Sequence, residues 1–313
     1  MGPPEHEPVF VTGALAGGGP HVQVIASSDF QILESFFAYD PNFHGGVNVA
    51  LGDVNGDGYQ DIITAPGAGG GPHVKVYSGA TGAILRSFMA YDPTFTGGVF
   101  VASCDVNNDG KADIITGAGA GGGPHVKVFD GVSPVDATLA SFFAYDPTFL
   151  GGVRVGSADF DSDGKADVVT GPGAGGGPHV RVFKIASNGA ASELLGMMAY
   201  SPSFTGGVFV GANVDGNGVA RLITGAGPGG GLHVRVFGAN GAELGGVVPP
   251  GTGNQGGMVA LGQLDDDNAD EYVIGNASQR SFVRIYELPQ TPVDAFEAYE
   301  GFGGGVSVAI GVI

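Results

Sequence analysis

Residues 97–129 read GGVFVASCDVNNDGKADIITGAGAGGGPHVKVF, and variants of this block occur six times along the 313-residue chain. A fixed internal period of this length is the signature of a repeat architecture. The sixth copy is divergent and places Phe282 at the position of the repeated histidine. In the other five copies this histidine returns at intervals of 52 to 54 residues, as His21, His73, His125, His179 and His233.

Each repeat contains four short candidate strands separated by turn residues. In the second copy they are residues 47–51, 61–65, 74–77 and 85–90. These runs are rich in β-branched and aromatic residues and are bounded by Gly, Asn, Asp and Pro, which is typical of strands. No segment of helical periodicity extends beyond roughly one turn. Four strands per unit, repeated six times, predict an all-β, six-bladed β-propeller of four-stranded blades.

The two ends of the chain predict how the ring closes. The C-terminal segment reads as the first strand of a unit, and the N-terminal segment supplies the other strands of that unit. An open solenoid has no need of this arrangement, whereas a ring closed by a blade shared between N- and C-terminal strands does. We therefore expect a single propeller domain over residues 1–313, with blades at about 303–313 plus 8–44, 45–96, 97–150, 151–205, 206–255 and 256–302.

Composition excludes several classes of protein. The chain has 61 Gly and 19 Pro, but the glycines lack a three-residue period, which excludes collagen. An apolar content of 43% argues against disorder. The net charge of −19 excludes a basic nucleic-acid surface and favours bound cations or cationic partners. The single Cys104 excludes an intramolecular disulfide, and no apolar stretch is long enough for membrane insertion.

Three loops follow the pattern D-x-[ND]-x-D-G-x-x-D. Carboxylates at alternate positions can share one side of a tightly curled loop, and the Gly permits the turn. Such a set of hard oxygen ligands suits Ca²⁺, with one backbone carbonyl added from Tyr59, Lys111 or Lys165. The predicted ligands are Asp53, Asn55, Asp57, Tyr59 and Asp61; Asp105, Asn107, Asp109, Lys111 and Asp113; and Asp159, Asp161, Asp163, Lys165 and Asp167.

The alternative for these loops is a polar turn without metal, since Asp, Asn and Gly favour turns. Three near-identical loops with three or four acids each argue against it, because the carboxylates repel one another without a cation. A fourth loop has Arg221 in place of the last acid, so we expect it to be empty. A fifth has Asp265, Asp267 and Glu271, and either outcome is open there. The sequence thus predicts about three Ca²⁺ sites.

The chain resembles the FG-GAP family, the repeat of the integrin α-subunit propeller, which also occurs in bacterial surface proteins and some fungal lectins. The resemblance covers essentially the whole chain and implies a calcium-binding propeller, but not cell adhesion. The chain departs from the family in having GGV where Phe-Gly usually stands and six repeats where integrins have seven. The residues that carry it are 46–49, 53–61, 65–67, 98–101, 105–113, 152–155, 159–167 and 171–173.

Other repeated residues favour structural roles. The Gly-rich GAGAGGGP element is followed by a strand and not a helix, so we expect a wide hairpin loop of positive-φ glycines. We expect each repeated His to be buried against a loop carbonyl. The cation two residues later (Lys75, Lys127, Arg181) is expected to pair between blades with Asp92 or Asp146. The Tyr of AYDP is expected to pack at a blade junction, with sugar stacking as the alternative.

These observations predict a non-catalytic, calcium-binding scaffold or binding module with structural calcium. Alternatives are a multivalent carbohydrate-binding lectin with sites between blades and, with less support, a polysaccharide-acting enzyme at the central channel. No unique Ser-His-Asp set or paired Glu supports the enzyme. The ligand, whether protein or glycan, and the oligomeric state stay open. Because such loops need more free Ca²⁺ than cytosol offers, we expect an extracytoplasmic or secreted protein without its signal peptide.

Overall fold

The computed structural model describes residues 7–133, 137–249, 253–264, 270–287 and 291–313. These residues form 24 strands and no helix. The strands pair into six antiparallel sheets of four strands each. The protein is a six-bladed β-propeller, which confirms the predicted fold class.

The first three blades each run from an inner strand at the axis to an outer strand at the rim. Blade 1 contains β24 (Val306–Val312), β1 (Pro8–Ala14), β2 (His21–Ala26) and β3 (Ile32–Phe37). Blade 2 contains β4 (Val47–Gly52), β5 (Asp61–Pro66), β6 (His73–Tyr77) and β7 (Ile84–Met89). Blade 3 contains β8 (Val99–Cys104), β9 (Asp113–Ala118), β10 (His125–Phe129) and β11 (Thr138–Phe143).

The remaining blades have the same order of strands from axis to rim. Blade 4 contains β12 (Val153–Ala158), β13 (Asp167–Pro172), β14 (His179–Ile185) and β15 (Ala191–Met198). Blade 5 contains β16 (Val208–Val214), β17 (Ala220–Ala226), β18 (Val234–Gly238) and β19 (Glu243–Val247). Blade 6 contains β20 (Gly257–Gly262), β21 (Glu271–Asn276), β22 (Phe282–Glu287) and β23 (Thr291–Glu297).

Ring closure depends on pairing between the first and last strands. β1 lies antiparallel to β24, with Val9 opposite Gly311 and Ala14 opposite Val306. The inner strands β4, β8, β12, β16, β20 and β24 contact one another in a closed cycle. Blade 1 is therefore assembled from both ends of the chain, as the split repeat predicted.

The hydrophobic core lies between adjacent blades. At the junction of blades 3 and 4, Val126 and Val128 belong to the same buried cluster as Val153 and Val155. Across the described residues six such clusters occur, one at each junction. The second strand of a blade is covered on both faces, so β9 (DIITGA) is buried throughout, including its Asp and Thr.

The GGV element marks the point where the chain enters each inner strand. Gly98 has φ of 76°, in the left-handed region that side chains rarely adopt. A Cβ added at Gly98 would lie 2.5 Å from the backbone carbon of Gly67 in the preceding blade. Glycine is required here because two blades approach backbone to backbone.

Candidate metal centres

The first acidic loop folds around the carboxylate of Asp53. Asp53 accepts backbone N–H bonds from Gly56 (2.6 Å) and Gly58 (2.9 Å). The buried Asp61, at the start of β5, accepts the N–H of Val54 at 2.9 Å and that of Gly79 at 3.2 Å. Side-chain acceptors thus replace backbone pairing and hold the loop curled, as the sequence predicted.

The second loop repeats these contacts. Asp105 accepts N–H bonds from Asn108 (2.6 Å) and Gly110 (2.8 Å). Asp113 accepts the N–H of Val106 and that of Gly131, both at 3.0 Å. The local fold is therefore retained although Gly56, Tyr59 and Gln60 of the first loop are Asn108, Lys111 and Ala112 in the second.

An additional carboxylate, which the repeat pattern did not predict, joins the second loop. Carboxylate oxygens of Asp109, Asp113 and Asp130 all lie within 4.8 Å of one another. Asp130 follows β10 directly in the sequence FDG, where blade 2 has YSG with Ser78. Among the blades with a complete acidic loop, only blade 3 has an acid at this position, and that difference was the available signal for an additional ligand.

The second loop also contains an oxygen without a partner. Asn107 Oδ1 is buried and has no hydrogen-bond partner in the described part of the chain. A buried polar atom in this state costs free energy unless something binds it. Carboxylate oxygens beside a free amide oxygen form the kind of donor set that Ca²⁺ prefers. The residues present therefore fit a hard divalent cation.

Burial affects the acids at the end of each loop. It raises the pKa of Asp61, that of Asp113 to about 6 and that of Asp167 to about 7. The other carboxylates of each loop raise these pKa values further, whereas backbone hydrogen bonds lower them. Negative charge is thus unfavourable here in the absence of a cation, and a bound cation would reverse that effect.

The third loop already contains a cation from the protein. Asp159, Asp161 and Asp167 bring carboxylate oxygens within 4.8 Å of one another. Lys184 Nζ, however, lies 2.5 Å from Asp161 Oδ2 and 2.6 Å from Asp163 Oδ2. The hydrogen bond from Lys184 lowers the pKa of Asp163. Lys184 occupies the position of Ser78 and Asp130 in the other blades, so an ammonium group competes with metal at this loop.

The first loop differs from the other two. Among the described residues it brings no three acidic groups within the same distance of one another. Three residues are predicted to bind metal through their backbone carbonyls. In the structure their backbone N–H groups donate to an acid of the same loop: Tyr59 to Asp57, Lys111 to Asp109, and Lys165 to Asp163. Ligation by their carbonyls stays a prediction.

The fourth and fifth loops depart from the pattern. Arg221 Nη2 lies 3.1 Å from the buried Asp215 Oδ2, so the arginine brings a positive charge to this loop. That the fourth loop binds no ion stays a prediction. In the fifth loop Asp265 and Asp267 lie outside the described residues. Glu271 accepts the N–H of Leu264 at 2.7 Å, the same role that Asp61 plays for Val54.

The repeated tyrosines connect neighbouring blades. The Tyr145 hydroxyl lies 2.9 Å from the Thr170 carbonyl oxygen and 2.7 Å from that of His179, both in blade 4. This confirms the predicted junction role. The same contacts are made by Tyr39, Tyr91, Tyr200 and Tyr299.

The prediction that each repeated histidine bonds a loop carbonyl is wrong. His73 Nε2 bonds Ser87 Oγ of the outer strand at 2.7 Å instead of a loop carbonyl, and the ring is only half-buried. The reason is that the side chain points along the sheet towards β7, while the His73 carbonyl accepts the bond from Tyr39. Partial burial lowers the pKa of His73.

The expected ion pairs with AYDP acids are also wrong. Lys127 Nζ bonds the Ala90 carbonyl oxygen of the preceding blade at 3.0 Å and lies 5.2 Å from the centre of the Tyr91 ring. Asp92 instead accepts the backbone N–H of Thr94, two residues further on, within its own turn. The basic residues do cross the blade junction, but each donates to a backbone carbonyl of the preceding blade and not to an AYDP acid. Arg181 and Arg235 pair in addition with Glu193 and Glu243 of their own blades.

Grooves lie between some of the blades. One groove of about 600 Å³ lies at the surface of the junction between blades 1 and 2, and its walls include Glu34, Asp40, His73 and Lys75. A smaller groove of about 270 Å³ at the junction of blades 4 and 5 includes His233 and Arg235, which occupy the equivalent positions. The repeat therefore places the same kinds of side chain in more than one groove.

One comparison with known proteins covers two of the acidic loops. A family model described as an FG-GAP-like repeat matches residues 53–116, which include the first two loops. The FG-GAP resemblance is confirmed for this segment. Because the match ends at Thr116, it covers one repeat unit and part of its neighbours.

Solved structures share the fold across the whole propeller. A chain in the crystal structure of a nidogen/laminin complex has a TM-score of 0.59 at 10% identity, covering 97% of this chain and 98% of that one. A protein of unknown function from Bacteroides caccae has a TM-score of 0.56 at 13% identity, with coverage of 97% and 98%. At this identity the likeness concerns the fold alone. Across the described residues no helix is long and apolar enough to span a membrane.

Proposed function

We propose that this protein is a non-catalytic, calcium-binding propeller that serves as a scaffold or binding module, with calcium stabilising the fold. The observation that carries the proposal is the second loop, where Asp109, Asp113 and Asp130 converge beside the partnerless Asn107 Oδ1. The chain would hold the ion with oxygen atoms alone, and the ion would neutralise carboxylates whose burial opposes their charge.

The proposed location follows from the affinity expected of such loops. Extracellular calcium modules bind with Kd of roughly 10⁻⁴ to 10⁻³ M. At about 2 mM Ca²⁺ and a Kd of about 0.1 mM, one site adds about 1.8 kcal/mol to the free energy of unfolding. Cytosolic calcium would leave such a site empty, so we place the protein outside the cytoplasm.

The proposal is tested by calcium titration together with thermal melting. Calorimetry should show at least one Ca²⁺ site per chain, and EGTA should lower the melting temperature, which Ca²⁺ but not Mg²⁺ restores. Asp113→Asn should remove the tightest site. Asp92→Asn is the matched control, because that acid bonds only within an exposed turn remote from the loops. A melting curve that EGTA leaves unchanged would contradict structural calcium.

The non-catalytic part of the proposal is supported by the central channel. The described residues that line its mouth include no Asp, Glu or His, the usual general acids and bases. His21, His73 and His125 each bond a serine of their own outer strand. His179 and His233 lie against Tyr145 and Tyr200 of the preceding blade, so these histidines are engaged at separate positions around the ring. A screen of polysaccharides for cleavage products is the direct test, and turnover of any of them would contradict the proposal.

A second candidate function is carbohydrate binding between blades. The groove of about 600 Å³ presents acidic, basic and imidazole side chains beside exposed apolar residues such as Phe37 and Ile84, which is a suitable surface for a sugar ring. Its partial recurrence at blades 4 and 5 favours several weak sites. Since Tyr39 is committed to the blade junction, the exposed Phe37 is the better candidate for stacking.

A glycan array followed by calorimetry separates the two functions. A lectin should bind a glycan at more than one site per chain, and Phe37→Ala should remove one site while leaving the melting temperature nearly unchanged. Leu150→Ala, at an exposed apolar residue outside the groove, is the control. If no glycan binds, the scaffold function is retained and the lectin is rejected.

A further inference from the structure

The central channel contains one side chain that breaks the repeat. In each inner strand the second residue faces the axis of the propeller. The six residues at this position line one cavity. Five of them are neutral and one is an arginine. In ring order they are Ser307, Asn48, Phe100, Arg154, Phe209 and Met258.

Arg154 is buried without an acidic partner. Its side chain is 7% exposed, and the guanidinium carbon lies 3.7 Å from the centre of the Phe209 ring. Within the described residues the only hydrogen bond of its side chain runs from Nη1 to the Pro172 carbonyl oxygen at 3.2 Å, and Nε has no partner. Burial lowers the pKa of Arg154 to about 9, so the group is still charged at neutral pH, at a cost to the folded state.

The other polar residues of this ring are already engaged by the fold. Asn48 Nδ2 donates to the Val99 carbonyl oxygen of the next blade at 2.8 Å. Ser307 Oγ accepts the N–H of Val49 at 3.3 Å. Among these six residues, Arg154 is the one whose side chain has a buried polar atom without a partner.

The arginine lines a cavity of about 540 Å³ at the mouth of the channel. Among the described residues of that lining it is the only ionisable side chain, in a chain of net charge −19. The mouth lies where the inner strands begin, on the face opposite the acidic loops that follow the strand ends. Any ligand here would be separate from the metal centres.

The geometry selects the chemistry of the ligand. Phe209 covers one face of the guanidinium, so a ligand can accept hydrogen bonds only from the N–H groups at the edge of the guanidinium plane. A carboxylate has the planar shape and the two acceptor oxygens that match this edge. Phe100 and Met258 offer apolar surface to the remainder of the molecule. The acidic chain disfavours anions of higher charge. We propose that the mouth of the central channel binds a small organic monocarboxylate with an apolar body through Arg154.

Benzoate is the probe, and its neutral isostere benzamide is the matched ligand control. Calorimetry on the full chain should show one benzoate site, no binding of benzamide, and weaker binding of phosphate and sulfate. Arg154→Met should weaken benzoate binding at least about twentyfold, consistent with loss of a buried charge-assisted bond. Arg221→Met, the same substitution beside the fourth loop, should leave it unchanged.

Two further measurements keep the proposal falsifiable. Met258 occupies the equivalent position in blade 6, so Arg154→Met should fold and melt at or above the wild-type temperature. Should it fail to fold, a crystal of the wild type soaked with 4-bromobenzoate must show anomalous signal at the channel mouth. Absence of benzoate binding at about 10 mM, an affinity unaffected by Arg154→Met, or tighter binding of phosphate than of benzoate would each overturn the assignment.

Discussion

Lys184 Nζ lies 2.6 Å from Asp163 Oδ2, so a side chain of blade 4 places a positive charge against the acidic loop that precedes it. Arg221 does the same for Asp215 in the next blade. The loops of blades 2 and 3 lack such a cation at the position of Lys184, where they have Ser78 and Asp130. Successive loops around the ring thus differ in how much charge they leave for a metal.

The first prediction concerns Lys184. Lys184→Ser should strengthen calcium binding at the third loop roughly fivefold, because two exposed ion pairs that compete with the metal are lost. Calorimetric titration should then show a tighter site than in the wild type. Lys184→Arg keeps the charge and should keep the site weak. Equal affinity in the serine and arginine variants would show that the ammonium does not compete.

The second prediction concerns the additional acid of the second loop. Asp130→Asn should weaken that site about tenfold, since ligand charge tunes affinity in calcium loops. Ser78→Asp places the same acid beside the first loop and should strengthen its binding by a similar factor. The paired variants are measured by calcium titration in one buffer. If Asp130→Asn has no effect, the cluster of Asp109, Asp113 and Asp130 does not hold the ion.

The third prediction concerns pH. Burial raises the pKa of Asp113 to about 6 and that of Asp167 to about 7 in the folded state, against about 3.9 in an unfolded chain. Between these two pKa values the folded state therefore binds more protons than the unfolded chain. As a result, the free energy of unfolding of the calcium-free protein falls as pH rises through about 4 to 7. Its melting temperature should be lower at pH 8 than at pH 5.

Two comparisons isolate these acids from the general effect of net charge. The double variant Asp113→Asn, Asp167→Asn should lose most of the pH dependence in EGTA. Saturating Ca²⁺ should remove it from the wild type, because the ion stabilises the ionised carboxylates. Calcium binding near pH 6 should also release protons, measurable as a dependence of the calorimetric heat on buffer ionisation. A constant heat in all buffers would count against ligation by Asp113 and Asp167.

The fourth prediction concerns the blade junctions. Tyr145→Phe removes the hydroxyl that lies between the Thr170 and His179 carbonyls, and should lower the free energy of unfolding by about 1–3 kcal/mol. Because Tyr91 makes the same contacts at a different junction, the two losses should add in Tyr91→Phe, Tyr145→Phe. Denaturant unfolding measures both. A change below about 0.3 kcal/mol would mean that water replaces the hydroxyl.

The fold could be predicted because the repeat encodes it several times. Each copy independently supplies the four strands, and the truncated units at the two ends fit together as β24 and β1 to β3. The acidic loops could be predicted for the same reason, since the bonds around Asp53 recur around Asp105.

What differs between blades could not be predicted from the repeat. Asp130, Lys184 and Arg154 each stand at a position where other blades carry a different residue, so no period identifies them. Their roles depend on contacts between segments distant in sequence, such as Lys184 with Asp161. The partner of His73 was missed because it depends on the direction of a side chain along the sheet, which the sequence does not specify.

The pairing of Val9 with Gly311 has a consequence for biosynthesis. A nascent chain leaving the ribosome presents β1 almost three hundred residues before its partner is made, and pairs separated this far in sequence form slowly. During that interval β1 exposes an unpaired edge that another strand could join. Translation speed and chaperone supply should therefore affect the yield of this protein more than that of a propeller whose blades are each made of consecutive strands.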